Sequence, residues 1–332
     1  MSHNVETMAY ANQTPWHGLG VNVSPDLTPM EMLKAAGLDW KVKKVPVQNI
    51  ITTEDGETIM NTIDDQYSLI RETDHKHLSI VGRNYVPIQN EDAMQFFHDF
   101  VQAGHMKMET AGSLSGGRTI WALANLDQSF TLAGGDKVRG FLLLNQPHII
   151  GKGMQLRFTP IRVVCNNTLT YALNSKQSVT DANEATGEFR MAHTRHFDEA
   201  TKKMAENALG ISKSMMSDFE EQASFLSSKK CDEEVASNII YGLFDKRSES
   251  EKKDVKEPRI VKKILNAIDT QPGAELESSA GTMWGLFNAI TYVIDHKTGN
   301  DRDTALSNAW FGPRSLIKHR ALEAITNEAR AA

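Results

Sequence analysis

Cysteine is nearly absent from the chain, with two in 332 residues. Cys165 ends a strand-like segment and Cys231 lies near a helix start, so the sequence has no disulfide framework and too few thiolates for a structural zinc site. Long apolar runs are missing as well, since none approaches the ~18 residues that cross a membrane. The N-terminus lacks the charged start and apolar middle of a signal peptide. We therefore expect a cytoplasmic protein that does not bind membranes.

Positive charge is in short supply. The 36 Lys and Arg residues face 42 Asp and Glu residues, which gives a formal net charge of −6 and a pI near 6.0. This balance argues against a protein that coats nucleic acid with its whole surface, but it is compatible with a local basic groove. With 40% hydrophobic residues, the chain can bury a sizeable core in one large domain or in two.

Motifs for catalysis and for cofactor binding are also lacking. No Gly-x-Ser-x-Gly turn would expose a nucleophilic serine, and no Gly-Lys-Ser/Thr ending would hold a nucleotide phosphate. The histidine pairs His75 with His77 and His193 with His196 have no nearby cysteine and no His-Glu-x-x-His arrangement. We therefore expect a protein that is not an enzyme and that uses neither a cofactor nor a metal ion.

The pattern of the sequence changes along the chain. Residues 1–23 are sparse in apolar side chains and are predicted to form an N-terminal arm, in which Trp16 packs on its own domain, docks on a neighbouring subunit or stacks on a base. Residues 24–190 combine strand-like runs with helix signals, and residues 191–332 are mostly helical in pattern. This order predicts an α+β fold, in which an antiparallel meander sheet with one packed amphipathic helix precedes a helical C-terminal region.

Two helices in the first half are marked by their end residues. Thr28 followed by Pro29 is a typical N-cap and first position, and Gly37 ends this short helix. Asn90 is predicted to cap the amphipathic helix, whose apolar residues recur every three or four positions up to Gly104. Strand patterns occur at residues 40–52, 57–61, 67–71, 78–81, 107–114 and 118–126.

A β-hairpin is predicted at the centre of the sheet. Its strands cover residues 138–144 and 154–165 and are joined by a connection that contains glycine and proline. Pro160 marks a bulge or an edge position in the second strand. After the hairpin, Asn167 or Thr168 is predicted to cap a short helix.

Basic residues concentrate on this hairpin and beside it. Basic side chains on a half-exposed strand can follow a phosphate backbone, and Phe141 or Phe158 can offer a ring on which bases stack. The same alternation is equally typical of a solvated strand that binds nothing. The candidate nucleic-acid-binding residues are Arg118, Lys137, Arg139, Lys152, Arg157 and Arg162.

Several short segments of the chain resemble a known family. They are Thr-Pro-Trp-His-Gly-Leu-Gly at 14–20, Val-Gly-Arg-Asn-Tyr at 81–85, Gly-Gly-Arg at 116–118, Arg-Val-Val-Cys-Asn-Asn-Thr-Leu at 162–169, and Asn-Ala-Ile-Thr-Tyr with Asp-His within 288–296. In this order they are similar to phage and plasmid-like proteins that carry a domain of unknown function, DUF932. The resemblance implies a mobile-element context and transfers no activity. Where that family often has Ser-His-Asp-Gly-Ser in the central hairpin, this chain has Gln-Pro-His-Ile-Ile-Gly-Lys at 146–152.

The predicted architecture, a meander crossed by one helix, resembles the single-strand annealing recombinases of phages, of the Red-beta and Erf type. Those proteins assemble into rings or helices that hold stripped DNA in a basic groove. The resemblance implies a homo-oligomer, of ring or helical form, that binds single-stranded nucleic acid in the host-cell cytoplasm during recombination or replication.

A non-enzymatic interaction protein that counters host defence is the alternative, and an enzyme of nucleotide metabolism is the third hypothesis. The first two hypotheses differ in what the surface must expose. The annealing hypothesis requires Arg157 and Arg162 to lie exposed along one groove. The interaction hypothesis requires an exposed apolar patch instead.

Overall fold

The computed structural model describes residues 5–12, 19–164, 167–168, 188–193, 203, 212–244, 258–298 and 313–331. Trp16 lies outside these residues. The strands are β1 (Val5–Ala11), β2 (Val21–Val23), β3 (Val42–Thr52), β4 (Thr58–Arg71), β5 (His77–Gly82), β6 (Lys107–Leu114), β7 (Thr119–Leu132), β8 (Asp136–Pro147), β9 (Met154–Arg162), β10 (Asn167–Thr168) and β11 (Glu188–Met191). The helices are α1 (Pro29–Ala35), α2 (Asn90–Ala103), α3 (Ser212–Ser228), α4 (Glu233–Phe244), α5 (Arg259–Thr270), α6 (Met283–Tyr292) and α7 (Pro313–Ala331), and α6 continues into a π-helical turn, Val293–Lys297.

The larger sheet has the strand order β10-β9-β8-β7-β6-β1-β2, and β11 also pairs with β9. β1 runs antiparallel to β6, with Ala9 opposite Ala111, and parallel to β2. The prediction of an arm is therefore wrong for the described part of residues 1–23. Ala9 and Ala11 are buried, so a segment with few large apolar residues still enters the sheet, because small side chains fit beneath a packed helix.

The long strands β7, β8 and β9 form the centre of the sheet, where the hairpin was predicted. Leu142 and Leu144 face one side and belong to one core cluster, whereas Phe141 and Leu143 face the other side. Pro160 lies between the stretch of β9 that pairs with β11 and the stretch that pairs with β10, so its missing N–H breaks no ladder on that edge.

β10 corrects one prediction about the segment after the hairpin. Asn167 pairs with Arg162 and Thr168 with Ile161 in the antiparallel ladder. Both residues therefore extend the sheet, and neither begins a helix.

A separate antiparallel sheet contains β3, β4 and β5. The two strands predicted at 57–61 and 67–71 are one continuous strand, β4, because the ladder with β3 resumes on either side of a bulge at residues 63–66. Asp65 adopts a φ of 57° in that bulge. β5 pairs with β4 only from Gln66 onward. The first part of β4 is therefore paired with β3 alone.

The two predicted helices of the first half are present. Thr28 Oγ1 accepts from the Glu31 N–H at 3.3 Å and Glu31 Oε2 accepts from the Thr28 N–H at 2.8 Å, a capping box that starts α1. α2 also forms, but Asn90 is not its cap. Its side chain is buried instead, and Nδ2 donates to the Leu38 carbonyl at 2.9 Å.

Helices cover the larger sheet on one face in two groups. α1 and α2 pack over Leu142 and Leu144. The C-terminal helices pack over Val138 and Phe158, which lie on the same face, and Phe219 of α3 contacts this group. The helical C-terminal region thus shares a core with the sheet. The fold class is α+β, as predicted, with the helices mainly towards the C-terminus.

Candidate functional site

Arg162, a predicted phosphate contact, is completely buried, with 0% of its side chain exposed. Its Nε and Nη2 donate to Oδ1 and Oδ2 of Asp136 at 2.7 and 2.8 Å, and Nη2 also donates to Ser279 Oγ at 2.7 Å. Asp136 Oδ2 further accepts from Ser278 Oγ at 2.8 Å and from Trp284 Nε1 at 2.9 Å. This cluster joins the central hairpin to the α5–α6 connection. Arg162 therefore has a structural role, and its prediction as a nucleic-acid contact is wrong.

The aromatic rings of the hairpin are also buried. Phe141 is 3% and Phe158 is 7% exposed, so neither ring can stack on a base. The prediction of a stacking role for these two residues is wrong. Arg139 lies over the Phe141 ring, 5.0 Å from its centroid, and its guanidinium pairs with Glu109 at 3.3 Å. The side chain is three-quarters buried, because both its charge and its stem are used within the sheet.

Arg157 is half-buried and lies close to a second buried ion pair. Lys318 of α7 is 1% exposed and its Nζ contacts Asp295 Oδ1, in the π-helical turn, at 2.9 Å. Burial lowers the pKa of Lys318, Asp295 opposes that shift, and the nearby Arg157 adds to it. The annealing hypothesis required Arg157 and Arg162 to lie exposed along one groove. Arg162 is buried and Arg157 is half-buried, so this requirement is not met.

The remaining predicted residues, Arg118, Lys137 and Lys152, are exposed. The His148 N–H donates to the Arg118 carbonyl at 2.8 Å, which places the β6–β7 turn beside the β8–β9 loop that carries Lys152. Lys137 lies at the opposite end of β8. It is ten residues from Pro147, the last residue of the strand, which corresponds to about 30 Å. The structure thus brings two of the six candidates together at one end of the sheet.

The most exposed apolar side chains of the described chain lie elsewhere, on the outer part of the β3–β4 pair. We call residues 48–62 the distal ribbon. Ile50 is 68% and Met60 is 63% exposed, and they lie opposite each other on one face. Ile51, 49% exposed, lies opposite Ile59, 43% exposed, on the other face. Neither face of the distal ribbon is covered by another described element.

Charge distinguishes this region as well. Residues 47–70 contain five carboxylates and no Lys, Arg or His, so they carry five of the six net negative charges of the chain. The carboxylates are Glu54, Asp55, Glu57, Asp64 and Asp65. The first three lie within the turn at residues 53–57, which we call the tip. Thr53 closes the tip, since its N–H donates to the Glu57 carbonyl at 2.9 Å.

A buried polar cluster lies between the two sheets. Asn90 Nδ2 donates to a carbonyl, so its Oδ1 accepts from His148 Nε2, 2.8 Å away. Burial, with a smaller contribution from His193, lowers the pKa of His148 to about 3, so the ring is neutral and Nδ1 is a bare acceptor. Nδ1 has no hydrogen-bond partner. His193 stacks on Tyr85 with ring centroids 4.6 Å apart, and burial lowers its pKa to about 4.

The sequence matches a family model described as Domain of unknown function (DUF932) over residues 77–311. The chain belongs to this family. No curated protein and no solved structure gives a significant match to it. The match confirms the family, DUF932, that the sequence motifs resembled. Within this DUF932 chain, the matched residues include the Arg162 cluster and the exposed loop with Lys152, whereas the distal ribbon precedes them.

The described part of this DUF932 chain has no group of three or more His, Cys, Asp or Glu side chains placed to hold a metal ion. In the same residues, no helix is long and apolar enough to span a membrane. The distal ribbon was not predicted as a binding surface, because a strand pattern does not show whether another element covers the strand. The signal was present in the run of 24 residues that has five acids, several aliphatic side chains and no base.

Proposed function

We propose that the protein is a non-enzymatic interaction protein that binds a partner through the distal ribbon. The observation that carries this proposal is the exposure of two aliphatic pairs, Ile50 with Met60 and Ile51 with Ile59, on an element that has no core of its own. Clustered exposed apolar side chains are typical of interaction surfaces. Burying one such side chain stabilises a complex by about 1.5–3 kcal/mol.

The backbone of the distal ribbon supports the same proposal. A two-stranded ribbon is marginally stable by itself, so contact with a partner would stabilise it. Within the described residues, the outer edge of β3 and the first part of β4 have no neighbouring strand. Unpaired edges of this kind accept an added strand, and residues 48–62 lack the lysine or proline that commonly protects an edge, since those of β3 (Lys43, Lys44 and Pro46) precede the ribbon. The three carboxylates of the tip, Glu54, Asp55 and Glu57, favour a partner with a basic surface.

The test uses the full-length protein as bait in wild-type form and as Ile50→Thr/Met60→Thr. The control variant is Leu316→Thr, which alters an aliphatic side chain of α7 that is 61% exposed. We expect to find a partner that wild type and control retain and that the ribbon variant loses. The purified partner should bind wild type directly in calorimetry, and its affinity for the ribbon variant should be at least tenfold weaker. If circular dichroism shows that the ribbon variant is folded and the variant keeps full affinity for every partner, the proposal is contradicted.

Binding of single-stranded nucleic acid is a second candidate function. The observation that favours it is the exposure of both Arg118 and Lys152. Neither side chain forms an ion pair with a described residue, and two loops bring them to one end of the sheet. Two free cations on adjacent loops can neutralise neighbouring phosphates. On this proposal the binding surface is that loop end, and the face of the hairpin has no part in it.

A fluorescence anisotropy titration with a labelled single-stranded oligonucleotide tests this second candidate at low and at physiological salt. We expect affinity to fall with salt, with a slope of about 0.7 per neutralised phosphate on a double logarithmic plot. Arg118→Glu/Lys152→Glu should abolish binding, whereas Lys137→Glu, at the far end of β8, should preserve most of it. If wild type fails to bind at low salt, this candidate is excluded.

A further inference from the structure

The distal ribbon and the exposed loop end of the sheet have complementary surfaces. The tip of the ribbon carries Glu54, Asp55 and Glu57 next to the exposed aliphatic side chains of the ribbon. The loop end carries Arg118 and Lys152. Opposite charges that flank apolar side chains on two surfaces of one chain point to contact between copies of that chain.

The loop end also has an apolar component. Ile150, between His148 and Lys152 in the β8–β9 loop, is 57% exposed. The loop is held in place, because the Ile150 N–H donates to Ser79 Oγ of β5 at 3.3 Å and the Lys152 N–H donates to the Ile149 carbonyl at 3.3 Å. We call Arg118, Ile150 and Lys152 the loop patch. Its two cations are uncompensated, because neither forms an ion pair with the described residues, in contrast to Lys76 nearby, which pairs with Glu6 at 3.2 Å.

The tip and the loop patch lie at opposite ends of the small sheet. Arg71 ends β4 next to the β6–β7 turn, since a Cβ on Gly117 would lie 3.2 Å from Arg71 Nη1. The tip precedes the first residue of β4, and β3, which pairs along the whole of β4, has 11 residues that span about 35 Å. The strand residues of the ribbon are exposed, so the ribbon does not lie against the body of its own chain. The tip of one molecule can therefore reach only the loop patch of another.

We propose that the distal ribbon of one chain docks on the loop patch of a second copy, with the acidic tip against Arg118 and Lys152 and the ribbon aliphatic side chains against Ile150. This inference rests on the proposed function of the ribbon and names its partner. The two surfaces differ, so the contact is heterologous and each molecule can both donate a tip and receive one. Repetition of that contact gives a ring or a filament, because a head-to-tail interface leaves both surfaces of a dimer unfilled.

Charge exchange between two variants tests this contact. The tip variant is Glu54→Lys/Asp55→Lys/Glu57→Lys, and the patch variant is Arg118→Glu/Lys152→Glu. Sedimentation velocity and light scattering of the full chain measure mass over a concentration series at low salt. We expect wild type to rise with concentration to at least twice the 37.0 kDa of one chain. Each variant alone should stay at 37.0 kDa, and Lys137→Glu should behave as wild type.

An equimolar mixture of the two variants is the decisive sample. The lysine tip of one variant faces the carboxylate patch of the other, and the remaining pair of surfaces is native, so the mixture should regain the wild-type assemblies. Misfolding cannot produce this recovery. Folded variants whose mixture stays monomeric would overturn the inference, as would a wild type that is monomeric at every concentration. A monomeric wild type whose ribbon still binds a different purified protein would refute the second copy as partner and leave the proposed function intact.

Discussion

At the scale of single residues, the structure separates two arginines that look alike in the sequence. Arg118 and Arg162 each border an apolar strand, and each was predicted to contact phosphate. Arg118 is exposed at a turn, whereas Arg162 is enclosed by Asp136 and by a serine 117 positions further along the chain. An ion pair of this kind is costly to break, because the remaining charge stays buried without its counterion.

Replacement of Arg162 therefore tests the structural role assigned to it. Arg162→Met should lower the free energy of unfolding by about 3–5 kcal/mol, because it leaves the Asp136 carboxylate buried without its counterion. Arg118→Met, the matched control, should change it by less than about 0.5 kcal/mol. Urea unfolding followed by circular dichroism measures both. A stability of Arg162→Met equal to that of wild type would contradict the assignment.

The buried histidines lead to a prediction about acid. In the unfolded chain a histidine has a pKa of 6.5, whereas burial holds that of His193 at about 4 and that of His148 at about 3. Below pH 6.5 the unfolded state therefore binds protons that the folded state cannot take up. The free energy of unfolding should fall as the pH decreases from about 6.5 towards 4, by up to about 1.4 kcal/mol per pH unit for each histidine.

Thermal denaturation at a series of pH values measures this slope. The variant His148→Gln should show a shallower slope between pH 6.5 and 4, whatever its absolute stability. His105→Asn, which alters an exposed histidine, serves as the control and should keep the wild-type slope. Equal slopes in all three proteins would show that His148 does not carry the effect.

At the scale of elements, the distal ribbon and β8 are both strands, but their surroundings are opposite. β8 is paired on both sides and most of its residues are buried. Every residue of the distal ribbon except Thr53 is exposed, and no described element covers either face. Hydrogen bonds in an uncovered two-stranded ribbon open locally, because few apolar contacts oppose the opening.

Hydrogen exchange measured by mass spectrometry should resolve this difference. In dilute protein, peptides from residues 48–62 should exchange at least a hundredfold faster than peptides from β8, since the ribbon opens without unfolding the sheet. At high concentration the ribbon should gain protection if a second copy covers it. Ribbon peptides that are as protected as β8 at every concentration would show that something within the chain covers them.

At the scale of the whole molecule, charge and core are distributed unevenly. Five of the six net negative charges lie within residues 47–70, so the rest of the chain is close to neutral. The C-terminal helices pack on the same face of the sheet as α1 and α2, and the Arg162 cluster links them to the hairpin. The acidic ribbon therefore projects from a body whose two halves share one scaffold.

The sequence by itself determined the α+β class, the start of α1 at Thr28 and the strands of the central hairpin. These features depend on local spacing, caps and alternation, which act over a few residues. Membership of the DUF932 family was equally legible in the motifs. The merging of two predicted strands into β4 was not, because a bulge at Asp65 depends on its pairing with β3.

Only the tertiary structure decided which charged and apolar side chains are free. Arg162 is buried because Asp136, 26 residues before it, and Ser279, 117 residues after it, converge on its guanidinium. The aliphatic side chains of the ribbon are exposed because no helix reaches that end of β3 and β4 in the described chain. An alternating strand has the same sequence pattern in both environments, since the pattern records which residues share a face and not what lies against that face.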